Sequence, residues 1–287
     1  MARQPQVAIV ADSAISLSQD IVEEYGIHVV PIELIFQGSS YKDGQDLMPS
    51  NFYRMLRTSS QLPTTSAPSP ETFLQAFERA GIEARSILCL TISSSFSATF
   101  NNARIAVDTV KDSFPHLNVE LLDTGTAAGG EALIALEAAR VAQSGSGLEE
   151  VTAAAKRVSA RVGLIAFIDT LYFLWKGGRV PRIGLWAASI LKIKPLMEMS
   201  QGEVNPVAKP RTRSRATERL VSLMRQRVGE APAHVSVMHA DSLEEARALK
   251  ERIGEEFNCS ELFVSEFTPV MGAHTGPGLL GLAFWSE

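Results

Sequence analysis

Short apolar runs rich in branched residues alternate with helical patterns through the first half of the chain, and this alternation constrains the fold more than any other feature of the sequence. A strand covered on both faces needs apolar side chains at successive positions, and a parallel neighbour is reached only by a crossover, usually a helix. The runs at 7–11, 28–36, 86–92 and 119–123 are therefore expected to be strands of one parallel sheet. Three of them end in polar residues, at Asp12-Ser13, at Ser93-Ser94-Ser95 and at Asp123-Thr124-Gly125. Ligands of open parallel sheets bind beyond the carboxyl ends of the strands, so these endings are expected to gather on one edge.

The second half reads differently. After a break at Ser144-Gly145-Ser146-Gly147 and an amphipathic helix at 148–160, the order is strand, helix, then a hairpin over 194–209 turning at Gln201-Gly202. A helix at 212–228, a strand at 234–239, a helix at 243–255 and strands at 262–267 and 279–285 follow. The expected architecture is α/β: an amino-terminal parallel sheet with crossover helices in 1–160, an α+β domain in 161–287, and a ligand between them. At 287 residues and 45% hydrophobic, the chain has enough apolar material for two such cores.

A formal net charge of -5 argues against general affinity for nucleic acid or anionic membrane, both of which are held through a basic surface. Two cysteines, Cys89 and Cys259, make no disulfide framework. The opening Met1-Ala2-Arg3-Gln4-Pro5 has no apolar signal region, and no stretch approaches the roughly 20 apolar residues of a membrane span. A cytoplasmic protein without stable membrane insertion is expected.

The chemistry-bearing segments are hydroxyl-rich loops and glycine turns. The loops are Pro63-Thr64-Thr65-Ser66-Ala67-Pro68-Ser69 and Ser93-Ser94-Ser95-Phe96-Ser97-Ala98-Thr99. The turns are Lys176-Gly177-Gly178-Arg179 and His274-Thr275-Gly276-Pro277-Gly278. Such segments suit a small anionic headgroup, because hydroxyls and helix-start N–H groups donate hydrogen bonds while Arg and His supply positive charge. Each also has a plainer reading: Asp12-Ser13 and the serine run before a helix at 96–111 as N-caps, the Thr65 loop as a rigid turn, His274 as a solvated loop residue.

Taken in order, Ala11-Asp12-Ser13-Ala14, the Pro-Thr-Thr-Ser-Ala-Pro-Ser loop, Ser-Ser-Ser-Phe-Ser-Ala-Thr-Phe, Lys176-Gly-Gly-Arg and the terminal Gly-Pro-Gly turn resemble the DegV family of bacterial fatty-acid-binding proteins, from Val7 to Trp285. The family is similar to the lipid-presenting subunit of a bacterial fatty acid kinase. The resemblance implies a protein that is not itself an enzyme and needs no cofactor: it holds one long-chain fatty acid and offers the carboxylate to a separate ATP-dependent kinase that makes acyl phosphate. It also implies that Thr65 and Ser97 contact the carboxylate, that Ser94, Ser66 and His274 line the headgroup site, and that Arg179 stands near the opening. In Lys209-Pro210-Arg211-Thr212, Arg211 becomes a candidate for kinase docking or phosphate handling. Ala98 stands where the family usually has Gly, and its methyl is expected to tighten backbone access beside Ser97. The segments 165–168, 171–174 and 184–191 are candidates for tail lining or for core.

The alternative is a small-molecule hydrolase using a serine, His274 and Asp12, although no Gly-x-Ser-x-Gly elbow is present. No P-loop or dinucleotide glycine fingerprint follows an expected strand. His234 and His239 fall on opposite faces of one strand, which suits no metal.

Overall fold

The computed structural model describes residues 6–180 and 193–287. In it β1 (Val7–Asp12), β2 (Ile27–Val30), β6 (Ser86–Thr91) and β7 (Asn118–Asp123) form an all-parallel sheet in the order β2-β1-β6-β7. The alternation along β1 explains its unbroken apolar run: Ala8 and Val10 face a layer with Phe73, Phe77, Ala103 and Val110, while Val7, Ile9 and Ala11 face a second core with Leu133 and Leu136. The first layer comes from α3 (Pro70–Glu83) and α4 (Thr99–Ser113), and the second from α5 (Ala128–Gln143).

The run expected as one strand over 28–36 is two. Pro31, which has no N–H to donate to a ladder, separates β2 from β3 (Glu33–Phe36), and the chain changes sheet there. β3 pairs antiparallel with β4 (Ser39–Lys42) and with β5 (Thr64–Ser66), so Thr65 lies opposite Leu34 on a short strand and not on a free loop.

A second sheet has the order β10-β9-β8-β13-β11-β12, built from β8 (Gly163–Phe167), β9 (Leu196–Ser200), β10 (Glu203–Ala208), β11 (Ala233–His239), β12 (Cys259–Glu266) and β13 (Leu280–Ser286). Helices α8 (Arg213–Val228) and α9 (Leu243–Glu256) cover one face through Leu220, Met224, Leu249 and Ile253. The other face meets α5, which lies between the two sheets and is buried along nearly its whole length. That is why α5 is built of Ala, Gly and Leu with little polar stripe. A Cβ on Gly129 would come within 2.8 Å of Met238 Sδ and Ser236 Oγ, so only glycine lets the helix approach β11 this closely. Gln201 (φ 49°) and Gly202 (φ +75°) form the turn between β9 and β10. Among the described residues no helix is long and apolar enough to cross a membrane.

Candidate functional site

The carboxyl ends of β6 and β7 lead to a cavity of about 380 Å³. On the parallel-sheet side Ile92, Phe96, Ser97, Ala98 and Ala127 line it, and β5 with its exit contributes Thr65, Ser66 and Ala67. The opposite wall is Leu174 of α7 (Tyr172–Gly177) with Arg179 and Val180 beyond it, Met199 and Val204 of the β9-β10 hairpin, and Val270, Met271, His274 and Thr275 of α10 (Pro269–Thr275). Most of this lining is apolar, with the hydroxyls, the imidazole and the Arg179 guanidinium as its polar groups.

Thr65 Oγ1 lies 2.9 Å from His274 Nε2, joining residues that are 209 positions apart in the sequence. His274 Nδ1 is shut off from solvent and has no partner. A buried N–H without an acceptor is much rarer than an unpaired lone pair, which assigns the ring proton to Nε2. Nε2–H then donates to Thr65 Oγ1, and the threonine hydroxyl hydrogen is free to donate into the cavity. The imidazole stays neutral: burial, and then the positive charge of Arg179, lower its pKa from 6.5 to about 4. The expectation that this histidine supplies positive charge is corrected by that burial, as is its reading as a solvated loop residue. It sits in the last turn of α10, a helix where only a turn is expected, although Thr268-Pro269 is an N-cap and N1 pair.

Asp43 ties α10 to the end of β1 from below. Asp43 Oδ1 accepts from Val270 N at 3.1 Å in the first turn, where the helix dipole favours a negative charge. Asp43 Oδ2 accepts from Ser13 Oγ at 2.7 Å, and burial raises the carboxyl to about 6. From the side, Gly177 packs under the imidazole, where a Cβ would lie 2.9 Å from His274 Nδ1. The second glycine, Gly178, is needed for another reason, as the left-handed cap of α7 (φ +70°).

Ser97 precedes α4, which begins at Thr99 and thus three residues later than expected. Its Oγ lies 2.7 Å from Thr99 Oγ1 and accepts from Thr99 N at 3.2 Å. With Thr99 as the hydroxyl donor, the Ser97 hydrogen is free for a ligand. Ala98 has φ -74° and ψ 0°, a conformation open to any residue, so glycine is not required there. The backbone of the rest of the serine run is held by local hydrogen bonds. Ser93 N donates to Thr126 O, Ser94 N to the Asp123 carboxylate and Ser95 N to Ser93 Oγ.

Of the expected site residues, Thr65, Ser66, Ser97, Arg179 and His274 converge on the cavity, while Ser94 and Arg211 are exposed and outside its lining. Arg179 stays exposed at the rim, its Nη1 donating to Gly177 O at 2.6 Å. Asp12 belongs to neither the cavity nor a catalytic group. It is fully buried, caps the short helical turn Ser13–Ile15 by accepting from Ala14 N at 2.9 Å, and accepts from Ile92 N at 2.8 Å. Of the suggested tail-lining segments, 165–168 is core, Leu174 alone of 171–174 reaches the cavity, and 184–191 lies outside the described residues. The lining residues Met199, Val204 and Met271 carried no sequence signal, being single apolar residues on separate elements. Among the described residues no three His, Cys, Asp or Glu side chains are placed to hold a metal ion.

The family whose sequence profile matches is described as "Uncharacterised protein, DegV family", and the match covers residues 6–287. A DegV domain-containing protein of Streptomyces coelicolor is 33% identical over 283 residues, 98% of this chain and 99% of its own. A DegV family protein from Thermus thermophilus, solved as a fatty acid binder, superposes with a TM-score of 0.90 at 28% identity over 98% of this chain and 100% of its own. DegV from Bacillus subtilis, described as a fatty acid binding protein, gives 0.89 at 26% identity over 99% of this chain and 100% of its own. With nearly its whole length matched in both sequence and fold, this chain belongs to the DegV family.

Proposed function

We propose that the protein binds one long-chain fatty acid in the cavity between segments 1–160 and 161–287 and presents its carboxylate to a separate ATP-dependent kinase for conversion to acyl phosphate. The observation that carries the first half is the make-up of the cavity: an apolar enclosure with the Thr65 and Ser97 hydroxyls and a neutral imidazole at its polar edge. Each buried CH₂ of a tail gains ~0.8 kcal/mol, which supplies affinity. A carboxylate leaving water needs several donors, which Thr65, Ser97 and Ser66 supply and which fix its orientation. The fatty-acid binding of the Thermus thermophilus and Bacillus subtilis proteins supports the same reading.

Presentation to a kinase rests on a division of labour. A triad needs a carboxylate behind the histidine, and His274 Nδ1 has no partner, while Asp12 is committed to backbone N–H groups. The hydrolase reading therefore has no support, and the phosphorylation chemistry would belong to the partner. Arg179 at the rim and exposed Arg211 are the residues assigned to the incoming phosphate or the docked kinase. A cytoplasmic location agrees with the two free thiols, Cys89 and Cys259. Mass spectrometry of lipid extracted from the purified protein tests the binding step: about one fatty acid per chain is expected if this cavity is the binding site, and protein free of lipid that also fails to take up added fatty acid would overturn it.

A further inference from the structure

The basic segment Lys209-Pro210-Arg211-Thr212-Arg213 contains one arginine that does not face solvent freely. Arg213, the first residue of α8, has a side chain only 25% exposed, and its guanidinium joins the ends of four elements. Nε donates to both oxygens of Glu245 in the first turn of α9, at 2.9 Å each. Nη1 donates to Asp169 Oδ1 at 2.6 Å and to Gly278 O at 2.8 Å. The guanidinium carbon lies 5.0 Å from the ring centroid of Phe167 on β8. Asp169 leads from β8 into α7 and also takes Lys194 Nζ at 2.8 Å. Gly278 follows α10 at φ +90°, and a Cβ there would meet Asp169 Cγ at 2.6 Å.

We propose that Arg213 is a positioning residue of the ligand site: by clamping Asp169 to Gly278 it fixes α7 against α10, and so holds His274 on Thr65. The two helices touch at one end through Gly177 and His274 and further along through Phe173 and Gly276, where a Cβ would lie 2.2 Å from the phenylalanine ring. Contacts this close leave no slack, so a shift at Gly278 is transmitted through the short turn 276–278 to His274 in the last turn of α10. A planar fork with five N–H groups serves three acceptors and a ring at once, which a lysine ammonium does not. The ligand consequence rests on the fatty-acid reading, but the geometric consequence does not.

The test is a titration of the His274 ring followed by ¹⁵N NMR, with fatty acid retention measured on the same samples of Arg213→Ala, Arg213→Lys and Asp169→Asn. In the unaltered protein the ring is expected to titrate near 4. Arg213→Ala and Asp169→Asn should move that midpoint toward 6.5, the ordinary value, as the ring gains solvent. Retention should fall about three- to tenfold as the Thr65 contact loosens, and Arg213→Lys should not rescue either quantity. Arg252→Ala is the control: it removes ion pairs to Glu218 and Glu256 from the same α8-α9 face without touching the clamp, and should leave His274 unchanged. An unmoved His274 titration in folded Arg213→Ala or Asp169→Asn protein, or an equal shift in Arg252→Ala, overturns the proposal. Should the unaltered protein take up no fatty acid, the functional reading fails while the titration still decides the clamp.

Discussion

Gly177→Ala probes the site at the point where it is most tightly built. The new Cβ would start 2.9 Å from His274 Nδ1, against the 3.4 Å at which ordinary contact begins, so ring and helix must part by about half an ångström. That displacement stretches the 2.9 Å contact between His274 Nε2 and Thr65 Oγ1 toward its limit. Losing it is worth ~0.5–1.5 kcal/mol, which corresponds to a two- to twelvefold loss of fatty acid affinity. Global stability should fall by at most about 2.5 kcal/mol, since overpacking costs about 1–3 kcal/mol while alanine in place of glycine near a helix end returns ~0.5–1 kcal/mol. Gly178→Ala is the matched comparison. Its Cβ would meet nothing within 4 Å, but φ +70° is strained for alanine by ~1–2 kcal/mol, so it should destabilise without weakening binding. Competition against a fluorescent fatty acid and denaturant unfolding on both variants give the two quantities. Equal affinity losses in the two variants, or unaltered affinity in Gly177→Ala, would show that the Gly177 contact does not set the His274–Thr65 geometry.

Thr65→Ala and Ser97→Ala should each cost ~1–3 kcal/mol of fatty acid binding, because a desolvated carboxylate is left short of a donor; folded variants carrying the usual amount of lipid would remove those hydroxyls from the site. Arg179→Ala and Arg211→Ala should retain fatty acid yet lower acyl phosphate formation when a cognate kinase, ATP and Mg²⁺ are supplied, and loss of lipid in parallel would return them to the pocket. Burial raises the Asp12 carboxyl from 3.8 to about 7, so the folded state keeps a proton that the unfolded chain releases. Its contribution is therefore most favourable below the unfolded pKa and diminishes by about 4 kcal/mol as pH rises to about 7. His274 and His239, both lowered to about 4, act in the opposite sense and lose stability as pH falls from 6.5. Unfolding free energies of Asp12→Asn should consequently rise more, or fall less, than those of the unaltered protein between about pH 4 and about pH 7, and identical slopes would contradict the assignment.

Most strands of the two larger sheets were legible: Val7–Asp12, buried on both faces, writes itself as a run of small and branched apolar residues, and Ala233–His239 shows its valines at alternate positions, whereas the break at Pro31 was not anticipated. The three-stranded sheet was not, since Ser39–Lys42 and Thr64–Ser66 are short, polar and mostly exposed, and nothing in them marks a pairing that β3 alone supplies. Thr65, Ser66 and Ser97 were singled out by hydroxyl-rich segments that resemble the family's motifs, although the first two stand on the short strand β5 and only Ser97 in a loop before a helix. The state of His274 was not legible, because its neutrality comes from Gly177 and the walls of a cavity made by distant segments. In the basic stretch the sequence offers no way to prefer Arg213 over Arg211. Only the placement of Asp169, Glu245 and Gly278 around one guanidinium separates them.

The most direct measurement is a crystal structure of the protein with a long-chain fatty acid bound. Tail density is expected along Ile92, Leu174, Met199 and Met271, with the carboxylate within hydrogen-bond distance of Thr65 Oγ1 and Ser97 Oγ. A carboxylate turned to solvent at the far end of the cavity, or a ligand seated elsewhere, would contradict that placement.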